Sequence, residues 1–304
     1  AAKHIFIDTN EDNADPAMKK KNQKMWQQFR KDLNVVNEDA FLVGEVWDNS
    51  SAIAPFLDRA LDSAFHFDLA DLIISAAKDG TRSDIARYLK GVYEEYDEVA
   101  KGQYIDTTFL TNHDQPRVMT VVSENKDQAK LAASILLTLP GVPFIYYGEE
   151  VGMTGSKPDE EIRLPFPWYK SGKGKGQTQF RVEESFYAST NFENAYEVQV
   201  KDDNSLFNHY KQMIRLRKEH GPLMEGTISE YPNENIEVEV YLRSLDDEHM
   251  LVVHNVANKE NTLALSKEDT LPTFSNVLFE SNKGAAITGE SLTIPPYTTV
   301  ILTK

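Results

Sequence analysis

Phe41-Leu42-Val43-Gly44-Glu45-Val46-Trp47-Asp48 opens as three apolar residues, turns at a glycine and delivers a carboxylate. A short apolar run of this kind predicts a strand buried on both faces, over 41–46. A glutamate standing where such a strand gives out points beyond the sheet, and in barrels and open α/β sheets that end carries the chemistry. A second stretch does the same: Thr107-Thr108-Phe109-Leu110 runs on into Asn112-His113-Asp114. Two strands that each end in a carboxylate suggest acids converging on one pocket, Glu45 and Asp114. The plainer alternative is a pair of strand-end carboxylates that cap helices or meet solvent.

On both sides of this stretch, strand and helix patterns alternate. Asp15 before Pro16 predicts a helix start, a cap followed by a first-turn proline, and Met18, Met25, Trp26, Phe29 and Leu33 fall on one face of the helix that follows. The pattern then predicts a helix over 52–61 and a strand over 64–67. Next come a helix with the apolar face Ile85, Leu89, Val92, Tyr93 and Tyr96, and a strand over 107–110. Residues 127–139 are apolar nearly all round, which predicts a buried helix stopped by Pro140-Gly141, with a further strand over 142–147. Such alternation predicts a parallel sheet. With 5–7 as the tail of one more strand, the count is roughly half the eight units of a closed barrel.

Residues 151–203 form a long irregular segment of a length usually tied to function or to disorder. Within it Gly172-Lys173-Gly174-Lys175-Gly176 reads as a loop tip, since no strand-to-helix context supports a phosphate cradle. Ser205 caps a last amphipathic helix carrying Leu206, Phe207, Tyr210, Met213 and Ile214, which Gly221-Pro222 ends. The period then becomes two: Ile236, Val238, Val240 and Leu242 alternate with Glu237, Glu239, Tyr241 and Arg243. The expected fold is therefore α/β: about half of a (β/α)8 TIM barrel over 1–220, including the 151–203 loop, followed by an antiparallel β-sandwich domain over 221–304.

Composition narrows the partners. Of 304 residues, 32 are Lys or Arg and 48 are Asp or Glu, leaving a net charge of −16 that repels phosphate backbones and argues against nucleic acid. The chain has no cysteine, so neither a disulfide framework nor a thiolate metal site is expected. No apolar run reaches the length of a membrane span. Ala1-Ala2-Lys3-His4 looks like the inside of a strand–loop junction; it is neither a signal peptide nor a lipidation motif, and compartment stays open, exported or cytoplasmic.

Four motifs in order, Ala1-Ala2-Lys3-His4, Gly44-Glu45-Val46-Trp47-Asp48, the 109–118 stretch FLTNHDQPRV and the 141–153 stretch GVPFIYYGEEVGM, resemble glycoside hydrolase family 13, the α-amylase family. The later EIRLPFPW and IPPYTTVIL segments resemble it as well, so the resemblance covers the whole chain. It implies a retaining glycoside hydrolase acting on α-linked glucans or malto-oligosaccharides. Glu45 would be the general acid/base, Asp114 a carboxylate that grips sugar hydroxyls and steadies the oxocarbenium-like charge, and His113 a donor to the same sugar. Lys3 and His4 would line the leaving-group side. A structural calcium ion, held in part by the backbone carbonyl of His4, is compatible with the family; no organic cofactor is implied. Trp47 would stack on a sugar face, as Trp168 or Tyr169 could. Arg163 would reach the sugar at the cleaved bond or pair with a neighbouring acid. The Glu149-Glu150 pair reads as structural. Asp8, Asn10 and Asp12 alternate like calcium-loop ligands, but Asn13 and Lys19 stand where such a loop wants glycine and glutamate, so they read as a solvated turn.

The family's nucleophilic aspartate directly precedes the position matching Ala1, and its first motif has no counterpart here. The resemblance therefore implies that residues 1–220 are the C-terminal half of a (β/α)8 TIM barrel. The chain is expected to be the C-terminal portion of a longer enzyme, its natural partner the N-terminal half, and to be inactive alone. Rival readings are an oligo-1,6-glucosidase, α-glucosidase or transglycosylase of the same family, and a non-catalytic carbohydrate-binding relative. The linkage preference, α-1,4 or α-1,6, and endo or exo action are not legible.

Overall fold

In a computed structural model, residues 15–178, 191–266 and 270–304 are described. They divide into two compact units: the first takes residues up to 71 with 87–109 and 141–144, the second 72–86, 110–140 and 145 onward.

In the first unit Asp15 accepts from the amide of Ala17 (2.8 Å) and starts α1 (Pro16–Val36). The face predicted for α1 is only partly covered: Trp26 packs against a core, while Met18 and Phe29 keep 43% and 45% exposure. Four short strands follow, β1 (Val43–Gly44), β2 (Ser63–Ala64), β3 (Thr107–Thr108) and β4 (Val142–Pro143). β1 pairs with β2 and β3 with β4, both parallel, and a parallel bridge from Phe65 to Thr107 joins the pairs. Helices α2 (Ser50–Leu57), α3 (Phe67–Asp79) and α4 (Ile85–Ala100) lie between successive strands in sequence. Ile53, Phe56 and Leu57 of α2 form one core with Val92 and Tyr96 of α4 and with Val46 and Leu61.

The strands are shorter than the apolar runs that announce them. Beyond each two-residue ladder only single bonds continue, such as Phe65 N to Gly44 O (3.0 Å) and Phe144 N to Thr108 O (2.7 Å), because the chain leaves the sheet to enter its loops. Phe67, expected at a strand end, instead begins α3. The sequence reading missed this helix, whose buried Leu69, Ala70, Ile73, Ala76 and Ala77 repeat at helical spacing. At Gly141 a side chain is excluded twice over: φ is +89°, and a Cβ would stand 2.4 Å from the carbonyl oxygen of Asp106.

In the second unit α5 (Val118–Val121) leads to α6 (Lys126–Thr138), capped by Asn125 and buried continuously from Leu131 to Thr138, as its composition implies. The described part of the 151–203 segment holds two one-turn helices, α7 (Asp159–Ile162) and α8 (Tyr196–Gln199). Its glycine–lysine tip wraps a ring: Tyr169 donates to the carbonyl of Lys175 (3.1 Å). Ser205 caps α9 (Leu206–Glu219) through the amide of Asn208 (3.1 Å). Gly221-Pro222 does not simply stop α9; it opens a further turn, α10 (Gly221–Met224), with proline in the first-turn place where its missing N–H costs nothing.

Eight antiparallel strands complete the unit: β5 (Thr227–Glu230), β6 (Val238–Leu245), β7 (Glu248–Asn255), β8 (Asn261–Ala264), β9 (Asn276–Glu280), β10 (Ala286–Thr288), β11 (Ser291–Ile294) and β12 (Thr299–Thr303). They form a five-stranded sheet, β5-β6-β7-β12-β9, and a three-stranded one, β10-β11-β8. Val238, Val240 and Leu242 of β6 join Leu251, Val253, Leu263, Leu292, Val300 and Leu302 in the core between them. The other face of β6 is buried too, with Glu239 at 2% and Tyr241 and Arg243 at 0% exposure. Each polar end is satisfied. Glu239 accepts from the amides of Ser83 (2.7 Å) and Ile85 (3.0 Å), at the N-terminus of α4. Tyr241 bonds Thr138 (2.7 Å) and His254 (2.9 Å), and Arg243 donates to the carbonyls of Thr138 and Gly226. This is a β/α barrel portion followed by an antiparallel β domain. Among the described residues no helix is long and apolar enough to cross a membrane.

Candidate active site

Glu45 leaves β1 half-buried, directly after Gly44, at which a Cβ would come within 2.3 Å of Leu61 Cδ1. Two residues on, Trp47 is 44% exposed and lies flat against Phe67, ring centroids 5.1 Å apart at 12°. Asn49 then caps α2 by accepting from the amide of Ala52 (3.0 Å). The strand end, its glutamate and a partly exposed aromatic face thus belong to one short loop of the first unit.

In the second unit, Asn112-His113-Asp114 follows β3 as predicted. Asn112 folds its side chain over to accept from the amide of Asp114 (2.9 Å), which closes the turn. Asp114 stands 3.4 Å from His113 Nε2 through one oxygen and accepts from Arg163 Nη2 through the other (2.6 Å). The same guanidinium donates through Nε to the carbonyl of His113 (3.0 Å) and through Nη2 to Asp159 (3.0 Å). Of the two roles open to Arg163, pairing with an acid is the one displayed. Asp159 also pairs with Lys157, a contact that holds its carboxyl below the ordinary range, helped by the nearby positive charge of Arg163.

One residue that supports this cluster escaped the sequence reading. Arg117, three residues after Asp114, is 1% exposed. It donates to the carbonyls of Ile162 (2.8 Å) and Tyr147 (2.7 Å) and lies over the rings of Tyr146 and Tyr147, so it sets the segment from which Arg163 reaches back. Its signal was its place inside the 109–118 motif. Glu149, read as structural, is 5% exposed and accepts from Thr111 (3.2 Å), next to Asn112; burial pushes its carboxyl up to about 8. Trp168 stays 44% exposed, while the hydroxyl of Tyr169 is engaged by its own loop. Lys3 and His4 lie outside the described residues.

The grouping therefore brings Asp114, His113 and Arg163 together in one unit and Glu45 and Trp47 together in the other. The chain as a whole is similar to known proteins. The family model described as "Alpha amylase, catalytic domain" matches residues 7–226, and that of the "Alpha-amylase SusG C-terminal domain" matches 238–301. Alpha-amylase 3 of Dictyoglomus thermophilum is 37% identical over 99% of this chain and 57% of its own length. A 4-alpha-glucanotransferase of Thermotoga maritima is 31% identical over 86% of this chain and 54% of its own. The crystal structure of an α-amylase from H. orenii superposes with a TM-score of 0.84 at 36% identity, over 99% of this chain and 59% of that one. The chain thus spans a little over half the length of these relatives, and by its catalytic-domain match and its shared fold it belongs to the α-amylase family, glycoside hydrolase family 13.

Proposed function

We propose that this protein is a retaining glycoside hydrolase that cleaves α-linked glucans or malto-oligosaccharides. In this reading Glu45 gives its proton to the glycosidic oxygen as the bond to the anomeric carbon breaks, and the leaving sugar departs as an alcohol. In the second half-reaction Glu45 takes a proton from the water whose oxygen attacks that carbon. The carboxylate that carries the sugar between the two steps is assigned to no residue of 1–304. Asp114 grips hydroxyls of the reacting sugar and opposes the positive charge that develops on its ring, and His113 donates to the same sugar. Arg163 contributes by fixing Asp114. Trp47 offers a flat apolar face to a sugar ring.

The observation that supports this best is the cluster at Asp114, a carboxylate oriented on both oxygens directly beyond a buried strand. The names of the relatives include α-amylase, 4-alpha-glucanotransferase and oligo-1,6-glucosidase. These names span more than one reaction, and a long α-1,4 glucan assayed beside an α-1,6 disaccharide separates the readings. A calcium ion would be structural here. Its expected ligand, the carbonyl of His4, lies outside the described residues; among those described no group of three or more His, Cys, Asp or Glu is placed to hold a metal ion, and no step is routed through one.

The test is Glu45→Gln in the complete protein, assayed on an α-1,4 glucan together with malto-oligosaccharide binding. Turnover should fall by about 10²- to 10⁴-fold while binding is retained. A loss smaller than about tenfold rejects Glu45 as the proton donor.

A further inference from the structure

Besides the burial of Val46 in the core of the first unit, the loop that carries Glu45 out of β1 is touched at its start, middle and end by one tetrapeptide, Phe65-His66-Phe67-Asp68. At the loop's start the carbonyl of Gly44 accepts from the amide of Phe65 (3.0 Å). In its middle Trp47 lies on the ring of Phe67. At its end Asp68 Oδ2 accepts both the backbone N–H of Ser50 (2.9 Å) and its hydroxyl (3.1 Å). His66 Nε2 stands 3.1 Å from the same hydroxyl.

His66 is itself fixed from every side. Its Nδ1 faces the Asp106 carboxylate at 3.1 and 3.0 Å, its Nε2 meets the Tyr88 hydroxyl at 2.9 Å, and its amide donates to Thr107 O (3.0 Å). Tyr93 donates to Asp106 as well (2.9 Å). Ser50, His66 and Asp106 have the connectivity of a nucleophilic triad, but they are 5%, 1% and 6% exposed. Asp68, His66 and Tyr88 surround the Ser50 hydroxyl, which leaves no face for a substrate. Such a cluster can fix geometry; it cannot attack.

We propose that Asp68 and His66 are positioning residues for Glu45, which with Phe67 hold the 44–50 loop at one height beyond β1 so that the Glu45 carboxyl meets the glycosidic oxygen in a fixed orientation. The inference rests on the reading of Glu45 as the general acid/base. Burial of Val46 fixes the residue next to Glu45, but the part of the loop beyond it needs ties of its own, and a misplacement near 1 Å at a reacting group costs about 10²-fold in rate. Fixing the far end at Ser50 supplies such a tie. Asp68 needs only an oxygen acceptor for this, so an amide can replace the acid.

Four variants of the complete protein test it: Asp68→Ala, Asp68→Asn, Ser50→Ala and, as the reference, Glu45→Gln, each with kcat, KM and a melting curve. Asp68→Ala should lower kcat about 10- to 100-fold with KM nearly unchanged, and Asp68→Asn should restore most of kcat. Ser50→Ala, which keeps the backbone bond and loses the hydroxyl contacts, should lower kcat by a smaller factor; it keeps the test decisive should Asp68→Ala fail to fold. The proposal is overturned if Ser50→Ala and Asp68→Ala turn over like the parent while Glu45→Gln does not. It is equally overturned if Asn fails to rescue and kcat falls only in step with the melting temperature. A normal rate in Glu45→Gln rejects the assignment of Glu45 itself, a different outcome from either of these.

Discussion

Arg163 serves three acceptors with one guanidinium: the His113 carbonyl, Asp114 and Asp159. The planar fork is what allows this; an ammonium at the same place could keep the charge but not the fixed angles. Its side chain is 43% exposed, so the ion pairs add little to stability, and their value lies in aiming the Asp114 carboxylate. Arg163→Lys should therefore leave the melting temperature nearly unchanged and lower kcat on an α-glucan about tenfold, with Arg163→Ala lower still. Equal rates for the lysine variant and the parent would show that charge alone suffices. At this scale the sequence was partly legible. Glu45 and Asp114 stand at strand ends whose apolar runs announce them, and Arg163 was open to pairing with an acid. Asp159 stands four residues before Arg163, a spacing at which such a pair can form locally; the reach to Asp114 is what no local pattern encodes, because it rests on Arg117 holding the carbonyls of Ile162 and Tyr147.

β6 shows where a local pattern misleads. Its alternation implies one inward and one outward face, yet Glu239, Tyr241 and Arg243 are as buried as Val238, Val240 and Leu242. The polar face is covered by elements far away in sequence, and each buried group finds a partner there, which the period of two cannot reveal. The same limit hid α3, whose first residue, Phe67, extends an apolar run that reads equally well as strand. Tyr241 tests the arrangement. Its hydroxyl joins Thr138 on α6 to His254 on β7, and burial pushes its ionisation well above the ordinary value, so it serves as a neutral bridge. Tyr241→Phe keeps the ring and leaves the His254 Nε2 contact empty. It should destabilise the fold by about 1–3 kcal/mol, seen as a lower denaturant midpoint. A change below about 0.5 kcal/mol would mean that the bridge adds nothing beyond its ring.

Across the molecule, buried titratable groups oppose one another in pH. Burial pushes Glu149 up to about 8 and Glu239 up to about 7, against an ordinary 4.5. A carboxyl raised in this way holds its proton more tightly folded than unfolded. Its contribution to stability is full below about 4.5 and is lost as pH rises through 7 to 8. Burial acts in the other direction on histidine, lowering His209 to about 4 and His254 to about 3 from an ordinary 6.5. Their contribution is full above 6.5 and is lost as pH falls toward those values. The exposed carboxyl of Asp159, although lowered, is screened by solvent and carries little weight here. The two pairs therefore compress stability from both sides, and the melting temperature should peak at about pH 5 to 6.5. Glu149→Gln, whose amide oxygen can still accept from Thr111, should flatten the alkaline limb and leave the acid limb in place. His209→Gln should do the reverse. A parent protein whose melting temperature climbs steadily from about pH 6 to about pH 9 would mean that these buried carboxyls give up their protons without cost, and the account of both the Thr111–Glu149 contact and the Glu239 cap of α4 would have to be redrawn.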